Sequence, residues 1–205
     1  MRNAPVHCDG LILITTVAEQ MVVCNPATGE VANLPQGSLA MRTRPLLSDT
    51  MNRFASRVGL GFDPCSKKYK AARFFYQHAP GGYGAVCKFE VLTLGTNVWR
   101  QTADDPPYPI AGKSPVHVQG SIYWKLIGPS YNVWGRPHAF LRFSLADEKF
   151  SLVPCPPSSN YTAIRFVQSE SELCCTCFCD QKRELEVWSL SVETEKPEWT
   201  RRAHW

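Results

Sequence analysis

Turn-forming residues interrupt this chain too often for helices to form. Sixteen prolines and thirteen glycines are spread along its 205 residues, and few intervals between them could hold a ten-residue helix. The segments between turns are short and rich in β-branched and aromatic side chains. They fall at 11–16, 21–24, 58–62, 70–76, 87–94, 115–118, 121–126, 139–144, 163–167, 172–179 and 185–190. Such strands, separated at short intervals by turn signals, predict an all-β fold of antiparallel hairpins: a sandwich, barrel or propeller.

The turns carry their own mechanism. In Asn25-Pro26-Ala27-Thr28-Gly29-Glu30 the asparagine can cap the turn, Pro26 presets φ, and Gly29 supplies a left-handed position before the return strand. Asp63-Pro64-Cys65-Ser66-Lys67-Lys68 repeats the arrangement without the glycine. Leu94-Gly95-Thr96-Asn97, Gln119-Gly120 and Leu145-Ala146-Asp147-Glu148-Lys149 mark further hairpins. Taking Asn25, Asp63, Leu94, Leu145 and Leu190 as comparable marks gives spacings of 38, 31, 51 and 45 residues. Propeller blades of four strands repeat at roughly 40 to 50 residues. About five units fit on this count, where complete propellers carry roughly four to eight, and spacing alone leaves closure open.

Composition narrows the setting. Apolar residues make up 44% of the chain without counting glycine, which supplies a core and argues against disorder. A chain of this length buries roughly 70% of its unfolded surface, enough for a single domain over 1–205. The 22 Lys+Arg against 18 Asp+Glu leave a net charge of +4, too small to point to nucleic acid or a membrane surface. No apolar run approaches the roughly 18 to 20 residues of a membrane span. The start is polar, and the run at 11–14 is too short for a signal peptide. Nine cysteines, an odd number, then read as free thiols in a reducing compartment, so the expected location is cytoplasmic or nuclear. The sequon Asn160-Tyr161-Thr162 would go unused there.

Several constellations could carry chemistry. Cys174-Cys175-Thr176-Cys177-Phe178-Cys179 suggests zinc, but structural sites use wider spacings and a second ligand pair, which the chain lacks. On a strand, Cys175, Cys177 and Cys179 share one face at about 6 to 7 Å intervals, and the reading is a buried core strand. His7, His78, His117, His138 and His204 are scattered, with no serine elbow or phosphate loop nearby. Gly81-Gly82-Tyr83-Gly84 joins two strands and reads as a hairpin loop. Lys67, Lys68, Lys70 and Arg73 surround Tyr69 and could meet a nucleic acid, but read as a solvated turn with the aromatic turned inward. Trp99, Trp124 and Trp188 are expected in the core. No cofactor, metal or catalytic residue is assigned, and the chain is not expected to be an enzyme. The long 127–138 loop holds Tyr131, Trp134 and Arg136, residue types favoured at protein hot spots, and these are the partner-binding candidates.

The order of blocks along the chain adds a family resemblance. Cys8-Asp9-Gly10-Leu11-Ile12-Leu13, Val23-Cys24-Asn25-Pro26-Ala27-Thr28-Gly29-Glu30 and Leu34-Pro35 resemble the opening of plant F-box-associated domains. Gly59-Leu60-Gly61-Phe62-Asp63-Pro64, Tyr69-Lys70, Glu90-Val91-Leu92-Thr93-Leu94-Gly95-Thr96 and Trp99-Arg100 continue the resemblance. Val118-Gln119-Gly120-Ser121-Ile122-Tyr123-Trp124, Leu141-Arg142-Phe143-Ser144-Leu145 and Glu186-Val187-Trp188-Ser189-Leu190 complete it over almost the whole chain.

The resemblance implies a kelch-like, β-propeller-related domain, complete or incomplete, that recruits a protein target to a cullin-based ubiquitin ligase. In that family an N-terminal F-box binds a Skp-type adaptor. No leucine-rich helical segment precedes Cys8, so adaptor and cullin are expected partners only where an F-box is present in the full-length protein. The expected function is a non-catalytic protein-recognition module, the substrate-binding part of an F-box-type ubiquitin ligase. A small-molecule or glycan-binding propeller is the alternative, which an apolar pocket with a few polar groups would favour.

Overall fold

The computed structural model describes residues 5–16, 20–37, 58–78, 85–126, 138–157, 161–169, 172–179, 183–191 and 198–204. These residues form four four-stranded sheets. Sheet 1 holds β1 (Val6–Cys8), β2 (Leu11–Thr15), β3 (Met21–Asn25) and β4 (Glu30–Asn33). Sheet 2 holds β5 (Val58–Asp63), β6 (Lys68–His78), β7 (Ala85–Thr93) and β8 (Arg100–Gln101). Sheet 3 holds β9 (Ile110–Val118), β10 (Ser121–Leu126), β11 (Ala139–Ser144) and β12 (Phe150–Pro154). Sheet 4 holds β13 (Tyr161–Ser169), β14 (Glu172–Cys179), β15 (Glu184–Leu190) and β16 (Trp199–His204). Each strand pairs antiparallel with the next, so every sheet is a meander. No helix occurs among the described residues, and the all-β reading holds.

The sheets begin at Val6, Val58, Ile110 and Tyr161, a repeat of 52, 52 and 51 residues. The estimate of about five units was therefore too high for the described residues. It mixed two kinds of turn: Asp63 opens the first turn of its sheet, whereas Asn25, Leu94, Leu145 and Leu190 all precede a fourth strand.

The local turn chemistry follows the sequence. Asn25 Oδ1 accepts the Ala27 N–H at 3.0 Å, and Gly29 sits at φ 74°. Asp63 Oδ1 accepts the Cys65 N–H at 2.9 Å, and Lys67 takes the left-handed position at φ 53° that glycine fills in sheet 1.

The first strands lie side by side, β1 against β5, β5 against β9 and β9 against β13, with β9 also reaching β1. The sheets pack face to face between them, and among the described residues sheet 4 does not close the ring against sheet 1. Cys8, Leu13, Met21 and Val23 of sheet 1 meet Leu60, Ala71, Leu92 and Trp99 of sheet 2. Phe74, Phe89 and Val91 of sheet 2 meet Ile122, Trp124, Leu141 and Phe143 of sheet 3. Tyr123, Phe140 and Val153 of sheet 3 meet Leu173 and Leu190 of sheet 4. Trp99, Trp124 and Trp188 are all buried, as expected. A tryptophan clamp appears twice: Trp99 Nε1 donates to Pro35 O at 2.8 Å, and Trp199 Nε1 donates to Pro154 O at 2.7 Å. Each ties a fourth strand to the preceding sheet.

Candidate functional site

Connections in a meander alternate between two ends of the sheet. At one end the turns after β1, β5 and β9 converge on His117. Its Nε2 lies 3.3 Å from Phe62 N and 3.2 Å from Gly120 N, while its Nδ1 lies 3.3 Å from Cys8 Sγ. Two N–H donors aimed at Nε2 make that atom an acceptor and put the ring hydrogen on Nδ1, although Phe62 O also approaches Nε2 to 3.2 Å. Gly61 makes the approach possible, because a Cβ there would lie 2.6 Å from both His117 Cδ2 and Leu145 Cδ1.

A cysteine beside a histidine invites comparison with a nucleophilic dyad, but the electrostatics run the other way. Burial, reinforced by Asp9, pushes the Cys8 thiol up to about 12. Burial also pushes the His117 imidazole down, against the opposing pull of the Phe62 carbonyl and Asp9. Both groups are held neutral, so the contact joins three sheets without activating a thiolate.

An ion cluster locks the same end. Lys70 Nζ reaches Asp63 Oδ2 at 2.9 Å, donates to Leu145 O at 2.6 Å and lies 3.5 Å from Glu148 Oε1. Arg100 Nη2 joins Glu148 at 2.6 Å. Burial alone would raise the Asp63 carboxyl, but donors from Ser66, Lys70 and the backbone at Cys65 and Ser66 outweigh it and hold it at about 2. The basic run at 67–73 therefore divides: Lys67 and Lys68 are exposed, whereas Lys70 and Arg73 are buried. The solvated-turn reading is corrected for those two, because each has a carboxylate opposite it. Arg73 pairs with Glu90 and stacks 5.0 Å over the Trp99 ring. Tyr69 packs edge-on against Phe62, as the inward-aromatic reading expects.

The cysteine strand is packed in the interior. Cys175 and Cys177 are fully buried on the face turned to sheet 3, with Sγ atoms 3.6 Å apart, and Cys174 is buried on the opposite face. The thiols lean together, closer than the backbone spacing suggests. Contact with Cys177 and burial both push the Cys175 thiol up. The Cys179 side chain lies outside the described residues, among which no group of three or more metal-ligating side chains converges.

The other end differs in the length of its connections. At the His117 end, sheets 1 to 4 are linked internally by segments of two to eight residues, among them 9–10, 119–120 and 191–198. At the far end the connections run from four residues at 180–183 to twelve at 127–138 and twenty-four at 34–57. Their described bases are well anchored: Tyr76 Oη donates to Ile110 O at 2.9 Å, Cys155 N to His138 O at 3.1 Å, and Lys88 pairs with Asp105 at 2.5 Å. Tyr131, Trp134 and Arg136 belong to the 127–138 connection at this end and lie outside the described residues, as does the 81–84 glycine loop. The His117 centre was missed in the sequence, because Cys8 and Phe62 reach it from two distant strands, β1 and β5.

No helix among the described residues is long and apolar enough to cross a membrane. Curated relatives include F-box/LRR-repeat protein At2g43260 of Arabidopsis thaliana, 29% identical over 198 residues covering 92% of this chain and 44% of that protein. A second is putative F-box/kelch-repeat protein At3g17570 of the same species, 30% identical over 70% of this chain and 34% of that protein. This chain thus spans less than half the length of either. Among solved structures, YjhT matches with a TM-score of 0.58 at 9% identity, over 98% of this chain and 64% of that one. Oligogalacturonate lyase in complex with manganese matches at 0.52 and 10% identity, over 95% and 51%. The family model described as the F-box associated beta propeller domain matches residues 1–204, in agreement with the four radial sheets, and the chain belongs to that family.

Proposed function

We propose that residues 1–205 act as a non-catalytic protein-recognition module, the target-binding part of an F-box-type ubiquitin ligase receptor in the cytoplasm or nucleus. The observation that carries this reading is the asymmetry between the ends. One is locked by the His117 centre and the Asp63–Lys70–Glu148 cluster, and the other carries the long connections. A rigid frame presenting loops suits recognition, since affinity then comes from a few anchors held in place. Tyr131, Trp134 and Arg136 are the proposed anchors, from their chemistry and their place in the 127–138 connection. The names of the relatives support the ligase assignment, in which a Skp-type adaptor and a cullin would engage through an F-box.

Affinity capture from plant extract followed by mass spectrometry tests this. Proteins retained by the wild-type chain should be lost from a Tyr131→Ala/Trp134→Ala/Arg136→Ala variant and kept by Lys67→Ala/Lys68→Ala at the opposite end. With anchors of hot-spot strength, affinity should fall at least about 30-fold. Retention by the triple variant together with loss on changing Lys67 and Lys68 would contradict the assignment.

A further inference from the structure

The fourth strand of every sheet presents an equivalent residue to the sheet before it. In sheet 3 this is Phe150, opposite Phe143, and in sheet 4 it is Trp199, opposite Leu190. Extending the β7–β8 ladder by one residue gives Trp99 beside Leu92 in sheet 2. All three are covered. Trp99 packs into the sheet 1 core, Phe150 meets Phe89 of sheet 2 at 5.1 Å, and Trp199 meets Phe140 of sheet 3 at 6.0 Å. In sheet 1 the position belongs to Val31, opposite Cys24, and it is 66% exposed.

The rest of that face follows suit. Directly opposed residues of an antiparallel ladder share a face, so Ile12, Cys24 and Val31 form one row and Ile14 with Val22 the next. The counterparts of Ile14 and Val22 are Arg73–Glu90, Trp124–Leu141 and Cys175–Trp188, all buried, whereas Ile14 is 39% exposed. Among the described residues, sheet 1 thus carries the side chains of a packed face without a sheet over it.

Each covered counterpart is met by the back of a preceding four-stranded sheet. The back of sheet 4 from a second copy is a mixed and poorer match, because beside Val167, Cys174 and Val187 it presents Thr176 and Ser189, with Arg202 bound to Ser189 and Glu172. The fold itself extends further, since the chain fills only 64% of YjhT while matching along 98% of its own length. We infer that the face formed by Ile12, Ile14, Val22, Cys24 and Val31 is the docking surface for a further four-stranded antiparallel sheet, the one preceding sheet 1 around the ring. Apolar burial between the sheets drives the contact, as at the three interfaces already formed.

Cys24 lies half-buried on this face, and exposed Cys65 serves as an internal reference. Modification by N-ethylmaleimide, read by peptide mass spectrometry, is compared between the chain alone and two fusions. One adds, in native order, the segments of At2g43260 that flank the matched region; the other appends a second copy of residues 58–154, whose last sheet has an apolar back. Cys24 should react in the chain alone and at least tenfold more slowly in a fusion, with Cys65 unchanged. Ile14→Asp/Val31→Asp should shift the melting temperature of the chain alone by less than about 2 °C and lower that of the protected fusion by roughly 5 °C or more. Equal Cys24 rates in all three proteins would overturn the inference. So would a dimeric mass by light scattering with Cys24 already protected in the chain alone, which would assign the face to a second copy.

Discussion

His117 illustrates what a linear reading conceals. Its partners Phe62 and Cys8 lie 55 and 109 residues away, so no local motif announces the centre. Its depressed pKa has a definite sign. Between the folded value and the ordinary 6.5, the unfolded chain binds a proton that the native state refuses. Stability is therefore complete above about 6.5 and declines as pH falls through that window, by at most about 1.4 kcal/mol per unit. Urea midpoints at pH 7.5 and 5.5 should separate more for the wild type than for His117→Gln; an identical separation would show that the imidazole is not responsible. Lys70 makes the same point about burial, which its place in a basic run conceals. Replacing it with Ala leaves buried Asp63 without its cation and Leu145 O without its donor, and should cost about 3 to 5 kcal/mol in chemical denaturation. At Cys177, strand alternation alone indicated the buried face. Cys177→Ser should cost about 1 to 3 kcal/mol if its hydroxyl finds no partner. Cys177→Ala should cost less, and the ordering is read from melting curves of the two variants.

At the level of strands, legibility depends on burial. Second and third strands such as β10 (Ser121–Leu126) and β11 (Ala139–Ser144) were bounded correctly by their hydrophobic pattern, since both faces are packed. The β-rich runs omitted the short β1 and the fourth strand of every sheet, β4, β8, β12 and β16. Every residue of β4 is exposed and β8 has only two residues, so neither carries apolar alternation. That omission also hid the fourfold repeat, because the turns leading into these strands are the ones that recur at equivalent places. The packing role of the fourth strand is specific all the same. Trp99→Ala removes a buried indole and its bond to Pro35 O and should cost about 3 to 5 kcal/mol, whereas Val31→Ala, at the exposed equivalent, should cost under about 0.5 kcal/mol. Similar costs at both positions would contradict the claim that Trp99 is covered and Val31 is not.

For the whole molecule, the all-β architecture and the family were legible because turn chemistry and an ordered set of short blocks extend through the chain. The division of labour between the two ends was not, since it emerges only when connections are sorted by the end of the sheets they serve. On that sorting, the proposed recognition surface is the long-connection end, opposite the His117 end. Photo-crosslinking in living plant cells tests it directly, with benzoylphenylalanine placed at Trp134 in one version of the chain and at Lys68 in another. The account predicts discrete protein adducts from position 134 and none from position 68. Adducts formed from position 68 with none from position 134 would contradict it.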